Sequence, residues 1–220
     1  MKTISLEHYR SIPCKADPVV QKEFLETTLD PVISCAKRND VELYFVDAAH
    51  FVMGAFLGYL LCKLRVFVRT PSGRKRYNVL GAYHAISGAM VTVTNTTYIN
   101  SSSVMALLGK LRLLHPGRNI KIVLDNAAYQ RNWLVRWYAA LLDIELIFLP
   151  SYSPNLNLIE RYWKFLKKKC LYNQFYDDFE SFCRAIDECM EKGSNEYRKE
   201  LETLMTLKFQ SFENVQLLAV

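Results

Sequence analysis

Apolar residues recur along the 220-residue chain in two periods, one of about 3.6 and one of about 2, and the order in which these alternate predicts an α/β fold. Asp17-Pro18 and Asp30-Pro31 each set a capping side chain before a proline at a first helical position. Apolar residues follow at helical spacing (Val20, Phe24, Leu25; Val32, Ile33), so two short lead-in helices are expected. Val41 to Asp47 (VELYFVD) is a β-rich run that ends in an acid, the pattern of a buried strand whose last residue emerges from the sheet. Arg65 to Thr70, Tyr77 to Ile86 and Met90 to Asn95 are further β-prone segments, and Pro71-Ser72-Gly73 and Ser87-Gly88 punctuate them as turns of an antiparallel meander.

Beyond residue 100 the pattern switches to β-α-β order. Val104, Leu107, Leu108, Leu111 and Leu114 give Ser101 to His115 a helical stripe closed by Pro116-Gly117, and Ile120 to Asp125 (IKIVLD) is a second strand ending in an acid. Arg131 to Leu142 is expected as a helix with Trp133, Leu134, Trp137 and Leu141 inward, followed by a strand over Ile144 to Leu149 and a proline-bearing loop over Pro150 to Pro154. Asn157 to Cys170 forms the next helix. A last clear one, capped by Asp177 or Asp178, carries the stripe Phe179, Phe182, Cys183, Ile186, Cys189 and Met190 as far as Gly193. The order β-β-β-α-β-α-β-α describes a mixed sheet flanked by helices, in which ligand sites tend to lie beyond strand C-termini.

Composition narrows the class. Half of the residues are hydrophobic and 23% are charged, ordinary globular usage, and the length suits one domain. The longest apolar stretch, Phe51 to Cys62, is shorter than the roughly 20 residues a membrane helix needs, so no membrane partner is expected. The six cysteines are scattered without a C-x-x-C pair and read as reduced core thiols of a cytoplasmic protein; structural zinc is not expected. A net charge of +6 favours an anionic partner such as nucleic acid.

The candidate chemistry lies in three acids. Asp47 and Asp125 at strand ends and Glu160 on a helix bring hard oxygen ligands toward one point, as Mg²⁺ prefers. Taken singly, each aspartate is more often a turn or helix cap; their joint placement is what points to metal. At about 100° per residue, Leu158, Ile159, Tyr162, Trp163, Phe165, Leu166 and Cys170 share one arc of the helix, which leaves Glu160, Lys164 and Lys167 outside it. That polar face is either a solvated Glu160–Lys164 pair or a metal ligand beside phosphate-binding cations continued by Lys168 and Lys169. Trp133, Trp137 and Trp163 fall on apolar faces, and at least two of the three are expected in the core.

The segments FVDAAHF, IVLDNAAYQ and LPSYSPNLNLIERYWKFLKKK resemble the catalytic signatures of mariner-like bacterial insertion-sequence transposases of the DDE superfamily, with 34 residues between Asp125 and Glu160. The similarity runs from about Lys15 to Glu191. It implies a ribonuclease H-like mixed five-stranded sheet flanked by helices over residues 41–192, after a short helical lead-in (1–40) and before a partly helical tail (193–220). It also implies that Asp47, Asp125 and Glu160 bind two Mg²⁺ ions, with Mn²⁺ as substitute, and that the chain cuts transposon ends and joins them to target DNA at TA. Asn126 follows the second aspartate as in the family and is a candidate to orient it or to contact DNA, a turn-forming Asn being the alternative; His50, three residues after Asp47, is a candidate to approach the scissile phosphate, a packed or solvated histidine being its alternative. Pro154 stiffens the entry to the glutamate helix, which Asn157 is placed to cap. Arg74, Lys75 and Arg76 in a turn, with Lys164, Lys167 and Lys168, are candidates to grip DNA.

Family members act as homodimers on DNA and carry helix-turn-helix modules that read DNA ends, whereas only some 40 residues precede the first strand here. A separate helix-turn-helix polypeptide is therefore a candidate partner. A noncatalytic DNA-binding or dimerising partner derived from a truncated transposase, and a ribonuclease H-like nuclease of other purpose, are the alternative readings.

Overall fold

The computed structural model describes residues 15–54 and 75–209. The strand expected over Arg65 to Thr70, the turn Pro71 to Gly73, Arg74, Cys14 and Cys62 lie outside the described residues.

Among the described residues five strands form one sheet: β1 (Glu42–Val52), β2 (Arg76–His84), β3 (Met90–Asn95), β4 (Ile120–Leu124) and β5 (Ile144–Phe148), in the order β3-β2-β1-β4-β5. β1 pairs antiparallel with β2 and parallel with β4, which pairs parallel with β5. The sheet is thus mixed, and β1 is its central strand. Seven α-helices among the described residues flank it: α1 (Pro18–Phe24), α2 (Asp30–Lys37), α3 (Ser101–Leu114), α4 (Trp133–Leu141), α5 (Ile159–Leu166), α6 (Phe179–Gly193) and α7 (Arg198–Leu204).

Side-chain alternation along β1 splits the core in two. Leu43, Phe45, Ala49 and Phe51 face one way, into a cluster with Ile159, Tyr162, Trp163 and Leu166 of α5 and Phe182 and Ile186 of α6. Tyr44 and Val46 face the other way, against Val104, Leu107, Leu108 and Leu111 of α3 and Val135 and Ala139 of α4. Asp47, an odd-numbered position, belongs to the α5 side.

Three expectations are corrected. The first concerns β1, which runs through Asp47 to Val52 because β2 continues to pair with it after β4 has ended. Asp47 therefore sits inside a strand, one residue beyond the last β1–β4 partners, Val46 and Leu124. The second concerns the lead-in helices. Asp17 does cap α1, its carboxylate accepting from the Val19 and Val20 N–H groups. Asp30 caps nothing, because a π-turn over Leu25–Leu29 carries the helix straight into α2 and takes up Pro31, which has no N–H to donate. Val20 is exposed, and the buried residue of α1 is Gln21.

The third concerns α4. Trp133 and Trp137 are 73% and 56% exposed and Leu141 is exposed too, whereas Val135 and Ala139 are buried. Of the three tryptophans only Trp163 is in the core, at 2% exposure. The helix sequence WLVRWYAAL is apolar almost all round, so its composition does not say which stripe meets the sheet, and the smaller Val and Ala permit the closer approach. On α5, by contrast, every residue of the expected arc is buried, because charged residues mark the other face unambiguously.

Candidate active site

Sheet register brings the two aspartates together. Val46 is paired with Leu124, so Asp47 and Asp125 are the next residues of adjacent parallel strands, where β4 stops and its chain turns away. The loop from β5 then passes over the same end of the sheet, and a 3-10 turn (Pro154–Leu156) leads it into α5. Asp47, Asp125 and Glu160 consequently line one open cleft of about 400 Å³, with Asn126, Ala127, the loop residues 149–154 and Asn157.

Each of the two aspartates is held by a neighbour. Trp163 Nε1–H donates to Asp47 Oδ2 at 3.0 Å, and the Ala127 N–H donates to Asp125 Oδ1 at 3.3 Å. The indole can reach Asp47 because its β2 cross-strand partner is Gly81: a Cβ there would lie 2.7 Å from the Trp163 ring. Asn126 Nδ2 donates to the Leu149 carbonyl, tying the loop after Asp125 to the end of β5. Asn157 does not cap α5 with its side chain; Nδ2 instead donates to the Val46 carbonyl, at 3.2 Å, next to Asp47. Glu160 lies in the first turn of α5, where the helix N-terminus favours negative charge.

Electrostatically the cleft is strained. Burial first, and then the charges of Glu160 and Asp125, push the Asp47 carboxyl up to about 7, against the lowering effect of hydrogen bonds from Ala48 N–H and Trp163. The Asn157 Oδ1 acceptor is buried without a hydrogen-bond partner among the described residues. Carboxylates crowded at low dielectric, together with an orphaned amide oxygen, form an all-oxygen donor set that suits a hard dication. Among the described residues no three His, Cys, Asp or Glu side chains close around a common point tightly enough to hold an ion by themselves.

The remaining residues singled out in the sequence are distributed as follows. Lys164 and Lys168 are exposed, and Lys167 is half-buried with Nζ 6.0 Å from the Phe51 ring centre. Lys75 and Arg76 are exposed and line a separate open cleft with Thr96, Thr97, Tyr98 and Phe179. Arg76 pairs with Val52, five residues along β1 from Asp47, about 17 Å at the rise of a strand. His50 is not part of the acidic cleft: three residues on from Asp47, it points to the opposite face of the sheet, where Nδ1 meets Asn78 Oδ1 at 2.7 Å. Sequence reasoning placed Trp163 in the core and missed its bond to Asp47; a glycine inside the β2 pattern was the available sign of a close approach.

A family model described as DDE superfamily endonuclease matches residues 42–183. The chain belongs to the DDE superfamily of endonucleases. That span begins at β1 and takes in all three acids of the cleft. Solved structures similar to this DDE endonuclease include the "Mos1 transposase paired-end complex with left transposon end", at 17% identity over 96% of this chain and 69% of that one, with a TM-score of 0.61. The "Crystal structure of the Mos1 mariner paired end complex with Mn" aligns at 18% identity over 97% of this chain and 69% of that one, with a TM-score of 0.60. The "Crystal structure of the catalytic domain of Mos1 mariner transposase" aligns at 15% identity over 91% of this chain and the whole of that one, with a TM-score of 0.50. The fold of this DDE endonuclease is accordingly that of the ribonuclease H-like transposase catalytic domains. No curated protein matches the chain.

Proposed function

We propose that this DDE endonuclease is the catalytic part of an insertion-sequence DNA transposase, and that Asp47, Asp125 and Glu160 are its metal ligands. The observation that carries this reading is the convergence of the three acids, from two adjacent strands and one helix, on a single open cleft. Residues 41–192 are the catalytic unit in this reading, with 1–40 as its lead-in and 193–220 as its tail. It operates on DNA in the cytoplasm as a homodimer, with TA as target and a separate helix-turn-helix polypeptide as the source of end recognition. The Mos1 structures with Mg and with Mn support the choice of metal.

When bound, two Mg²⁺ or Mn²⁺ ions would activate the attacking oxygen and stabilise the leaving one in an in-line displacement at phosphorus. The chain's own groups do the rest. The indole of Trp163 holds Asp47 in one orientation, Asn126 fixes the exit from β4, and Asn157 ties the loop before Glu160 to the strand that carries Asp47. Lys164, one turn beyond Glu160 on α5, and Lys168, in the π-turn over Lys167–Leu171 that follows, present cations to the phosphates beside the cut. Lys75 and Arg76 offer a second grip farther along β1. Hydrolysis opens a phosphodiester to a 3′-hydroxyl and a 5′-phosphate. The 3′-hydroxyl then attacks a target phosphodiester, so one ester bond forms as another breaks.

Incubating the chain with supercoiled plasmid and Mn²⁺ or Mg²⁺ tests the reading. Nicking that needs the metal and disappears in Asp47→Asn, Asp125→Asn and Glu160→Gln is expected. DNA binding of equal strength in chelator, without any cleavage, would identify a noncatalytic partner instead. Preferential cleavage of RNA hybrids would identify a nuclease of other purpose.

A further inference from the structure

The lead-in helix α1 lies outside the matched span 42–183, yet it reaches the candidate active site. Its one buried residue is a glutamine, 2% exposed, where an amphipathic helix would ordinarily place an apolar side chain. Both ends of the Gln21 amide are engaged, and its side-chain partners among the described residues lie in one loop. Nε2 donates to Ser153 Oγ at 2.9 Å and toward the Tyr152 carbonyl at 3.5 Å; Oε1 accepts from Asn155 Nδ2 at 3.0 Å. Tyr152 and Ser153 line the acidic cleft, and five residues after Asn155 the chain reaches Glu160.

That loop needs an external hold. Tyr152 has φ +59°, the left-handed region that a bulky side chain adopts only when its surroundings enforce it. Ser153 Oγ turns back on the Ser151 carbonyl at 3.3 Å, and Lys15, also from the lead-in, places its Nζ 5.5 Å from the Tyr152 ring centre. Asn157 fastens the far end of the loop to β1, so Gln21 and Asn157 fix it at two points just ahead of the α5 turn that carries Glu160.

We propose that Gln21 is a positioning residue for the phosphodiester chemistry: it fixes the Tyr152–Asn155 wall of the cleft and, through the loop, the placement of Glu160 against Asp47 and Asp125. The inference rests on the metal-dependent reading of the cleft given above. It makes the lead-in helix a working part of the active site.

The test uses the full chain and two readouts, the rate of Mn²⁺-dependent plasmid nicking and Mn²⁺ affinity measured by spin-resonance titration without DNA. Gln21→Met keeps the side-chain length and removes every hydrogen bond; Ser153→Ala removes one of them and leaves α1 untouched, so it reads the same coupling should Gln21→Met fail to fold. Val19→Ala, at a residue 74% exposed on the same helix, is the control. Both site variants are expected to slow nicking about tenfold and weaken Mn²⁺ binding several-fold, with folding intact by circular dichroism. The double variant should be no worse than the more impaired single one, as for two ends of one bond. If Gln21→Met and Ser153→Ala lower the melting temperature but leave rate and Mn²⁺ affinity within twofold of the unaltered chain, Gln21 is merely structural and the positioning role is overturned while the metal site stands. If the unaltered chain neither binds Mn²⁺ nor nicks, the metal reading itself fails and takes the inference with it.

Discussion

Replacing Asp47 by Asn should abolish catalysis and, in the absence of metal, stabilise the fold. The Asp47 carboxyl, 3.8 in the unfolded chain, is pushed up to about 7 in the folded one, by burial first and then by the charges of Glu160 and Asp125. At about 1.4 kcal/mol per pH unit, this difference makes the ionised group cost the metal-free fold about 4 kcal/mol above pH 7. Water entering the open cleft lowers that figure to about 2 kcal/mol. The sign follows from proton binding: between pH 3.8 and about 7 the folded state holds the proton more tightly than the unfolded state, so stability falls as pH rises through that window. Asn does not titrate, and its amide oxygen can still accept from Trp163. Thermal unfolding with EDTA at pH 5 and pH 8.5 should therefore show Asp47→Asn gaining on the unaltered chain as pH rises, by about 4–8 °C at the upper value. Added Mn²⁺ should reverse the order by stabilising only the unaltered chain. A pH-independent difference between the two proteins, or a loss of stability in Asp47→Asn at pH 8.5, would refute the crowding of charge on which the metal reading depends.

Other consequences can be checked separately. Gly81→Ala puts a methyl 2.7 Å from the Trp163 ring; displacing the indole should cost about 1–3 kcal/mol in chemical denaturation and reduce Mn²⁺-dependent nicking. Trp163→Phe keeps most of the packing but removes the hydrogen bond to Asp47, so the fold should survive and the lower limb of the pH–rate profile should move to higher pH. Trp133→Ala should change stability by under about 0.5 kcal/mol in a melt, because the side chain is already exposed. At the other end of β1, burial works to raise the Glu42 carboxyl but is outweighed by hydrogen bonds from His84 and Arg118, and burial lowers the His84 imidazole although Glu42 opposes it. Both groups therefore stabilise above their unfolded values of 4.5 and 6.5 and lose that contribution as pH falls; Glu42→Gln should flatten the acid side of a stability–pH curve.

The sequence was most informative where local pattern and tertiary environment agree. The buried face of α5 was legible residue by residue, because Glu160 and Lys164 mark the other one, although the helix expected over Asn157 to Cys170 starts at Ile159 and passes into a π-turn over Lys167–Leu171. The two strands bearing Asp47 and Asp125 could be read from their β-rich runs, but not the strand register that makes these residues neighbours, which depends on hydrogen bonds between segments some 80 positions apart. For the same reason the extension of β1 past Asp47 was not legible: it follows from pairing with β2. The phase of α4 was hidden by an apolar sequence without a polar face. Gln21 was invisible for the opposite cause, since a polar residue in an exposed-looking helix becomes meaningful only when its partners, more than 130 positions away, are known. Trp163 satisfied a core pattern and a polar contact at once, and periodicity reports only the first.

The most direct measurement is a crystal of the full chain soaked in Mn²⁺ and examined by anomalous scattering. Strong peaks in the cleft, within coordination distance of Asp47, Asp125 and Glu160, are expected. Clear density for the three side chains with no Mn²⁺ peak among them, or a peak coordinated by other residues, would contradict the assignment of these acids as the metal-binding centre.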